Sequence, residues 1–136
     1  MPSCVLRVSG STAKVREFLA SSPVEPIQVL WKGEPRIAQG GSIVKVSGFN
    51  LVLSDAEGIE AQAVQAVRFI LKHKDLALLI KSLGFSSSEI DFGLYDLASD
   101  SRPWPSYRIP SRLVQIAADL GCEIHLSFYG ALADAS

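Results

Sequence analysis

Apolar and polar residues alternate over several short stretches of the chain. Alternation with a period of two is typical of a β-strand that buries one face and exposes the other. The stretches cover residues 4–9, 27–32, 43–54, 89–96 and 122–128. Their inward-facing residues are Cys4, Leu6 and Val8; Ile27, Val29 and Trp31; Phe49, Leu51 and Leu53; Ile90, Phe92 and Leu94; and Cys122, Ile124, Leu126 and Phe128. We therefore expect five strands, the third of them bent or bulged at Gly48.

Apolar residues at helical spacing separate these strands. The second helix, for example, has a predicted apolar stripe of Ala61, Val64, Val67, Ile70 and Leu71. This helix and the short one after it could also form one long bent helix. The four predicted helices begin near Ser11, Ser54 or Asp55, Asp75 and Pro110, and they end before Pro23, near His73, at Gly84 and at Gly121.

The elements follow in the order strand, helix, strand, strand, helix pair, strand, helix, strand. The first six match the βαββαβ pattern of a ferredoxin-like sandwich. We therefore predict an α+β fold, a ferredoxin-like sandwich extended by one C-terminal helix and strand. Because each strand has a polar face, we expect one sheet with helices mainly on one face. A chain of 136 residues without a linker or a repeat predicts a single domain over residues 1–136.

The composition excludes several classes of protein. Hydrophobic residues make up 48% of the chain, charged residues 20%, and the formal net charge is -1. This balance argues against disorder and against a nucleic-acid partner, which needs concentrated positive charge.

The longest apolar run, residues 76–80, is far shorter than a membrane span, and Arg7 interrupts the apolar N-terminus. We expect a cytoplasmic protein whose two cysteines, Cys4 and Cys122, stay reduced in the core.

Three segments resemble a family of small uncharacterised bacterial cytoplasmic proteins, a domain of unknown function. They are IDFGLYD at residues 90–96, the helix pattern P-x-x-L-x-x-x-A-x-x-L-G from Pro110 to Gly121, and LSFY at residues 126–129. The resemblance extends mainly over residues 89–130. It implies a small bacterial cytoplasmic protein, and it implies no catalytic residue.

Two groups of residues invite a catalytic or metal-binding interpretation. Cys122 and His125 are three residues apart, but on a strand such residues face opposite sides of the sheet. Glu89 and Asp91 share a face of the fourth strand, and Glu123 and His125 share a face of the fifth. If these strands are parallel neighbours, three carboxylates and one imidazole meet there. Because polar residues on an open face also serve solvation, we assign no metal, no cofactor and no catalytic residue.

The segment SRPWPSYRIP, residues 101–110, is the first candidate binding site. Tryptophan, tyrosine and arginine are enriched at binding hot spots, and prolines reduce the entropy lost on binding. In the alternative, Trp104 and Tyr107 fold back over the edge of the core, because burying aromatic rings is strongly favourable. The candidate site residues are Arg102, Trp104, Tyr107 and Arg108 in this segment, with Tyr95, His125 and Tyr129 on the open face beside it.

These observations favour a non-enzymatic protein-interaction module that pairs with a protein partner or with a second copy through its sheet. The first alternative is a small-molecule-binding protein or enzyme. Its pocket would lie between the open sheet face and residues 101–110, and Arg102 or Arg108 would hold a small anionic ligand. The second alternative is an immunity-type protein that neutralises a toxin. We expect neither a membrane nor a nucleic acid as partner.

Overall fold

The computed structural model describes residues 3–36, 41–94 and 106–129 of the chain. Within these ranges five strands and four helices follow in the predicted order. They are β1 (Cys4–Gly10), α1 (Thr12–Ser21), β2 (Gln28–Leu30), β3 (Ser47–Ser54), α2 (Ile59–Lys72), α3 (Lys74–Leu83), β4 (Ser87–Leu94), α4 (Ser111–Leu120) and β5 (Glu123–Phe128). Not one helix of these ranges has the length and apolar character needed to cross a membrane.

The five strands form one mixed sheet in the order β2-β3-β1-β4-β5. β1 is antiparallel to both of its neighbours, β3 and β4, and β2 is antiparallel to β3. β5 is parallel to β4, and α4 lies in the connection between them, because parallel neighbours need a crossover rather than a tight turn. The predicted α+β class is confirmed.

The alternating pattern of β1 defines the position of the core. Cys4, Leu6 and Val8 are at most 2% exposed, whereas the residues between them are half-buried on the other face. Buried side chains from all four helices pack on this apolar face. Among them, Phe18 of α1 stacks on Phe49 of β3 with ring centroids 4.0 Å apart. We call the opposite face of the sheet, which carries the alternate residues of each strand, the open face.

The region predicted as one or two helices contains two. His73 ends α2 and begins α3, so the single long bent helix is wrong. α2 also begins later than predicted, at Ile59 rather than near Asp55. α3 ends at Gly84, whose left-handed backbone, with φ of 64°, terminates the helix as the sequence predicts.

The predicted apolar stripe of α2 is wrong in part. Val64 is 52% exposed and Leu71 is 38% exposed. Ile70 is buried as predicted, and the other buried residues of this helix are Ile59, Gln62, Ala63 and Ala66. The amide nitrogen of Gln62 donates to the carbonyl oxygens of Ala56 and Gly93, at 2.9 and 3.0 Å. These two hydrogen bonds explain why a polar residue occupies a core position that a hydrophobic pattern does not predict.

The connection between β2 and β3 forms a hairpin of its own. The third strand was predicted from residue 43, but β3 begins at Ser47 and only Ile43 is bridged earlier, to Pro35. The N–H of Arg36 donates to the carbonyl oxygen of Ser42 at 2.7 Å. Residues 31–36 and 41–46 therefore pair with each other outside the sheet, and we call them the connecting hairpin.

Two residues predicted to face the core are exposed. Ile27 is 70% exposed because it precedes β2, which is shorter than predicted. Phe128 is 51% exposed at the end of the edge strand β5, with the ring of Tyr107 5.9 Å away. Alternation identifies the side of a strand on which a residue lies, but another element must cover that side before the residue is buried.

Gly48 is required by a close approach of two strands. The predicted bulge is absent there, since the register of β1 and β3 shifts between Cys4 and Val5 at the other end of the pair. Gly48 lies opposite Ser9, and a Cβ atom at this position would overlap the carbonyl oxygen of Val8. The contact leaves no space for any other residue unless the backbone moves.

Replacing Gly48 by alanine should destabilise the protein, because β1 would have to move to admit the methyl group. We expect the free energy of unfolding to fall by roughly 1–3 kcal/mol, measured by urea denaturation followed by circular dichroism. Gly58→Ala is the control, since nothing lies within 4 Å of its Cβ position. It should change stability by less than about 1 kcal/mol. Equal losses in the two variants would contradict the explanation.

Candidate functional site

Strand pairing places polar residues of all five strands in one row across the open face. In the order of the strands across the sheet, this row consists of Gln28 of β2, Asn50 of β3, Arg7 of β1, Glu89 of β4 and Glu123 of β5. The amide of Asn50 donates to Oε1 of Gln28 at 2.9 Å, so the first two members are in contact. Each member lies on this face because it alternates with core residues of its own strand. The open face is therefore a polar surface that carries both signs of charge.

Asp91 is the buried centre of the open face. It is 5% exposed and lies opposite His125 in the pairing of β4 with β5. The Oγ of Ser127 donates to its Oδ1 at 2.7 Å, and the Nε of Arg7 donates to its Oδ2 at 3.3 Å. The Nδ1 of His125 is 3.5 Å from Oδ1 of Asp91 and 3.9 Å from Oε2 of Glu89. A buried carboxylate is tolerated only when it is paired, and these partners supply the pairing.

Sequence reasoning identified Asp91 and His125 but missed Arg7 and Ser127 as their partners. Alternation already puts Arg7 on the open face. Its contact with Asp91 joins residues 84 positions apart, which no local pattern reveals. Ser127 reaches Asp91 because of the register between β4 and β5, and only the folded sheet defines that register.

The four residues considered as metal ligands do lie together, because β4 and β5 are adjacent and parallel. They stand in two opposed pairs, Glu89 with Glu123 and Asp91 with His125. Over residues 3–36, 41–94 and 106–129, no group of three or more histidine, cysteine, aspartate or glutamate side chains could hold a metal ion. Both oxygens of Asp91 already accept hydrogen bonds from other strands. In this structure Asp91 joins β4 to β1 through Arg7 and to β5 through Ser127.

The described part of the segment 101–110 lies on the helix side of the sheet. Tyr107 is half-buried against the core, as the core-covering alternative predicts, whereas Arg108 is exposed. His125 and Tyr129 are on the open face, where the ring of Tyr129 lies beside Gly93. The sheet therefore separates Tyr107 from His125 and Tyr129. The other candidate residues, Tyr95, Arg102 and Trp104, lie outside the described residues.

A cleft of about 820 Å³ lies between the open face and the connecting hairpin. Arg7, Ser9 and Glu89 line it from the sheet, and Glu34 and Arg36 line it from the hairpin. Its volume is typical of sites that bind small molecules. The cleft lies toward β2, whereas the pocket predicted from the sequence would lie beside residues 101–110, of which 101–105 are outside the described residues.

The two thiols are not activated for nucleophilic chemistry. Burial of Cys4, followed by the negative charge of Asp91, raises its pKa from 9.0 to about 12. Burial also raises the pKa of Cys122, against the opposing effect of a hydrogen bond with Ser88. Cys122 packs against the core while His125 is on the open face, as their spacing predicts. Thiol catalysis needs a lowered pKa, and neither residue has one.

Comparisons of the chain with protein-family models, with curated proteins and with solved structures gave no match. The resemblance of residues 89–130 to small bacterial proteins therefore stays a prediction.

Asp91→Asn should destabilise the protein, because it removes the charge that pairs with Arg7 and leaves the shape of the side chain unchanged. We expect a loss of about 1–3 kcal/mol in the free energy of unfolding, measured by urea denaturation. Asp55→Asn is the matched control at an exposed position, and it should stay within about 0.5 kcal/mol of the unchanged protein. A neutral Asp91→Asn would show that the charge of Asp91 contributes nothing to stability.

The thiol of Cys4 should make stability depend on pH in the alkaline range. Between its unfolded pKa of 9.0 and its folded pKa of about 12, the native state keeps a proton that the unfolded chain loses. Stability from this group is therefore complete below pH 9 and falls as the pH rises. When the pH rises from about 8 to about 10.5, the free energy of unfolding should fall in both proteins. We expect this fall to be roughly 2 kcal/mol smaller in Cys4→Ala than in the unchanged protein. Urea denaturation at the two pH values measures this difference. An equal fall in the free energy of unfolding for Cys4→Ala and the unchanged protein would refute this role of Cys4.

Proposed function

We propose that the protein is a non-enzymatic protein-interaction module that pairs with a second copy of itself along β5. The observation that carries this proposal is the outer edge of β5, a strand of six residues. Among the described residues, β5 pairs with β4 only. An edge strand presents N–H and C=O groups that another strand can bind.

The helix side of β5 is incompletely covered, which supports pairing at this edge. The three inward residues of the neighbouring strand β4 are at most 2% exposed. Ile124 and Leu126 of β5 are only half-buried, and Phe128 is 51% exposed. A second copy that extended the sheet would cover this apolar stripe, and burial of apolar surface is favourable.

An antiparallel pair of β5 strands around a two-fold axis is self-complementary. In one register His125 lies at the axis, and Ile124 is opposite the partner's Leu126. In a second register Leu126 lies at the axis, and Ile124 is opposite the partner's Phe128. Both registers put apolar residues opposite each other on the helix side. On the open face neither register brings two carboxylates together, so no strong repulsion opposes the pairing.

The chemistry of the described residues supports a role without catalysis. The most buried carboxylate of the open face, Asp91, is bonded through both oxygens. The most buried thiol, Cys4, has a pKa of about 12 and stays protonated at neutral pH. A cytoplasmic location belongs to the same proposal and fits two cysteines that form no disulfide.

The finer fold assignment is part of this proposal. The antiparallel strands β2, β3, β1 and β4, with their connecting helices, support a ferredoxin-like βαββαβ unit. The fifth strand is added outside β4, so the order of the whole sheet differs from that of a four-stranded sandwich. The added strand forms one edge of the sheet and, among the described residues, pairs on its other side only with β4, while β2 forms the opposite edge.

Light scattering coupled to size-exclusion chromatography tests the proposal. Over a range of concentrations the protein should reach twice the mass of one chain, and a strict monomer at high concentration would overturn the proposal. Phe128→Lys should give a folded monomer, because a lysine at the edge opposes strand pairing. The control is Leu78→Lys on α3, where the leucine is 64% exposed, and it should remain a dimer. A dimer that tolerates Phe128→Lys would move the interface away from β5.

A further inference from the structure

We infer that the cleft between the open face and the connecting hairpin binds a short peptide with both termini free. This site is separate from the edge at β5, because its lining comes from β1, β2, β3, the start of β4 and the hairpin. The inference rests on the shape of the cleft and on the charges that line it. It does not depend on whether the protein forms a dimer.

The depth of the cleft follows from small residues on the floor. Ser9 of β1 lies between Gly48 of β3 and Ser87 of β4, opposite each of them in the pairing. The adjacent row contains long side chains, among them Arg7 and Glu89. A row of small residues beside a row of long ones leaves a depression in the sheet surface. The connecting hairpin forms the other wall of this depression.

Two arginines are placed to bind a carboxylate in the cleft. Arg36 is half-buried, and it makes no ion pair with any described residue. Arg7 uses its Nε for Asp91, and the structure shows no bond from its Nη nitrogens to a described residue. A guanidinium is planar and binds a carboxylate through two parallel hydrogen bonds. The cleft therefore offers donors suited to the C-terminal carboxylate of a peptide.

Two carboxylates line the same cleft and are suited to an ammonium group. Glu34 on the hairpin makes no ion pair with a described residue. Oε2 of Glu89 lies 3.9 Å from Nδ1 of His125, and Glu89 makes no ion pair with a lysine or arginine of the described ranges. Two cations and two anions make the lining neutral in sum. A simple anion would be repelled by the glutamates and a simple cation by the arginines, so a zwitterion fits best.

The size and the apolar parts of the lining favour a peptide over a single amino acid. The cleft volume of about 820 Å³ exceeds the space that one amino acid fills. The exposed side chains of Pro35 and Val46 from the hairpin also line it and offer apolar contact between the charged groups. Serine hydroxyls and the amides of Gln28 and Asn50 lie along the floor and can bind peptide groups.

Titration calorimetry with trialanine as the probe tests the inference. Trialanine should bind, and blocking its C-terminus as an amide or its N-terminus as an acetamide should each weaken binding roughly tenfold or more. Acetate or methylammonium alone should not compete at equal concentration. No binding of trialanine, binding that ignores both blocking groups, or equal binding of acetate would overturn the inference.

Matched variants assign the two ends of the peptide. Arg36→Gln should reduce the penalty for amidation, because the carboxylate then keeps only Arg7 as a partner. Glu34→Gln should reduce the penalty for acetylation, because only Glu89 then remains for the ammonium group. Arg112→Gln on the exposed surface of α4 is the control and should bind like the unchanged protein. Circular dichroism checks that each variant is folded. Equal binding by Arg36→Gln and Arg112→Gln, with unchanged blocking penalties, would place the peptide elsewhere. A monomer that still binds trialanine would overturn the dimer and leave this site intact.

Discussion

The pairing of β1 on both sides is the constraint on which the rest of the structure depends. With antiparallel neighbours on either edge, its backbone groups bond within the sheet, and its side chains decide which face becomes the core. Leu6 and Val8 point to the helices, whereas Arg7 points to the open face. A slip of one residue would put Arg7 into the core and Leu6 on the open face. Gly48 stabilises the correct register, because the backbone of β1 leaves no room for a side chain there.

Strands and helix ends could be predicted where the cause is local. The inward residues of β1, β3 and β4 alternate in the sequence and are buried in the structure. Gly84 and Gly121 end their helices with left-handed backbone, a conformation that glycine adopts without strain. Prediction failed where burial depends on another element. Phe128 alternates inward without being covered, and α2 turns Ala66 rather than Val64 toward the sheet.

The candidate site was harder to predict because its contacts join distant parts of the chain. Alternation puts Arg7 and Asp91 on the same face, but only the sheet order puts β1 beside β4. The connecting hairpin has the turn-forming residues of an ordinary connector, and its position over the open face depends on pairing between residues such as Pro35 and Ile43. The near-zero net charge argues against highly charged partners. It does not reveal that both signs of charge meet in one cleft.

The two proposed surfaces share one polar network without competing for the same atoms. Arg7 donates to Asp91 through Nε, and Asp91 also accepts from Ser127 on β5. A peptide carboxylate bound to the Nη nitrogens of Arg7 would share the guanidinium with Asp91 instead of displacing it. The burial of Asp91 makes this arrangement important, since a carboxylate that lost its cation inside the sheet would be strongly destabilised. The network can therefore hold β5 in place for pairing while a peptide occupies the cleft on the other side of Arg7, toward β2.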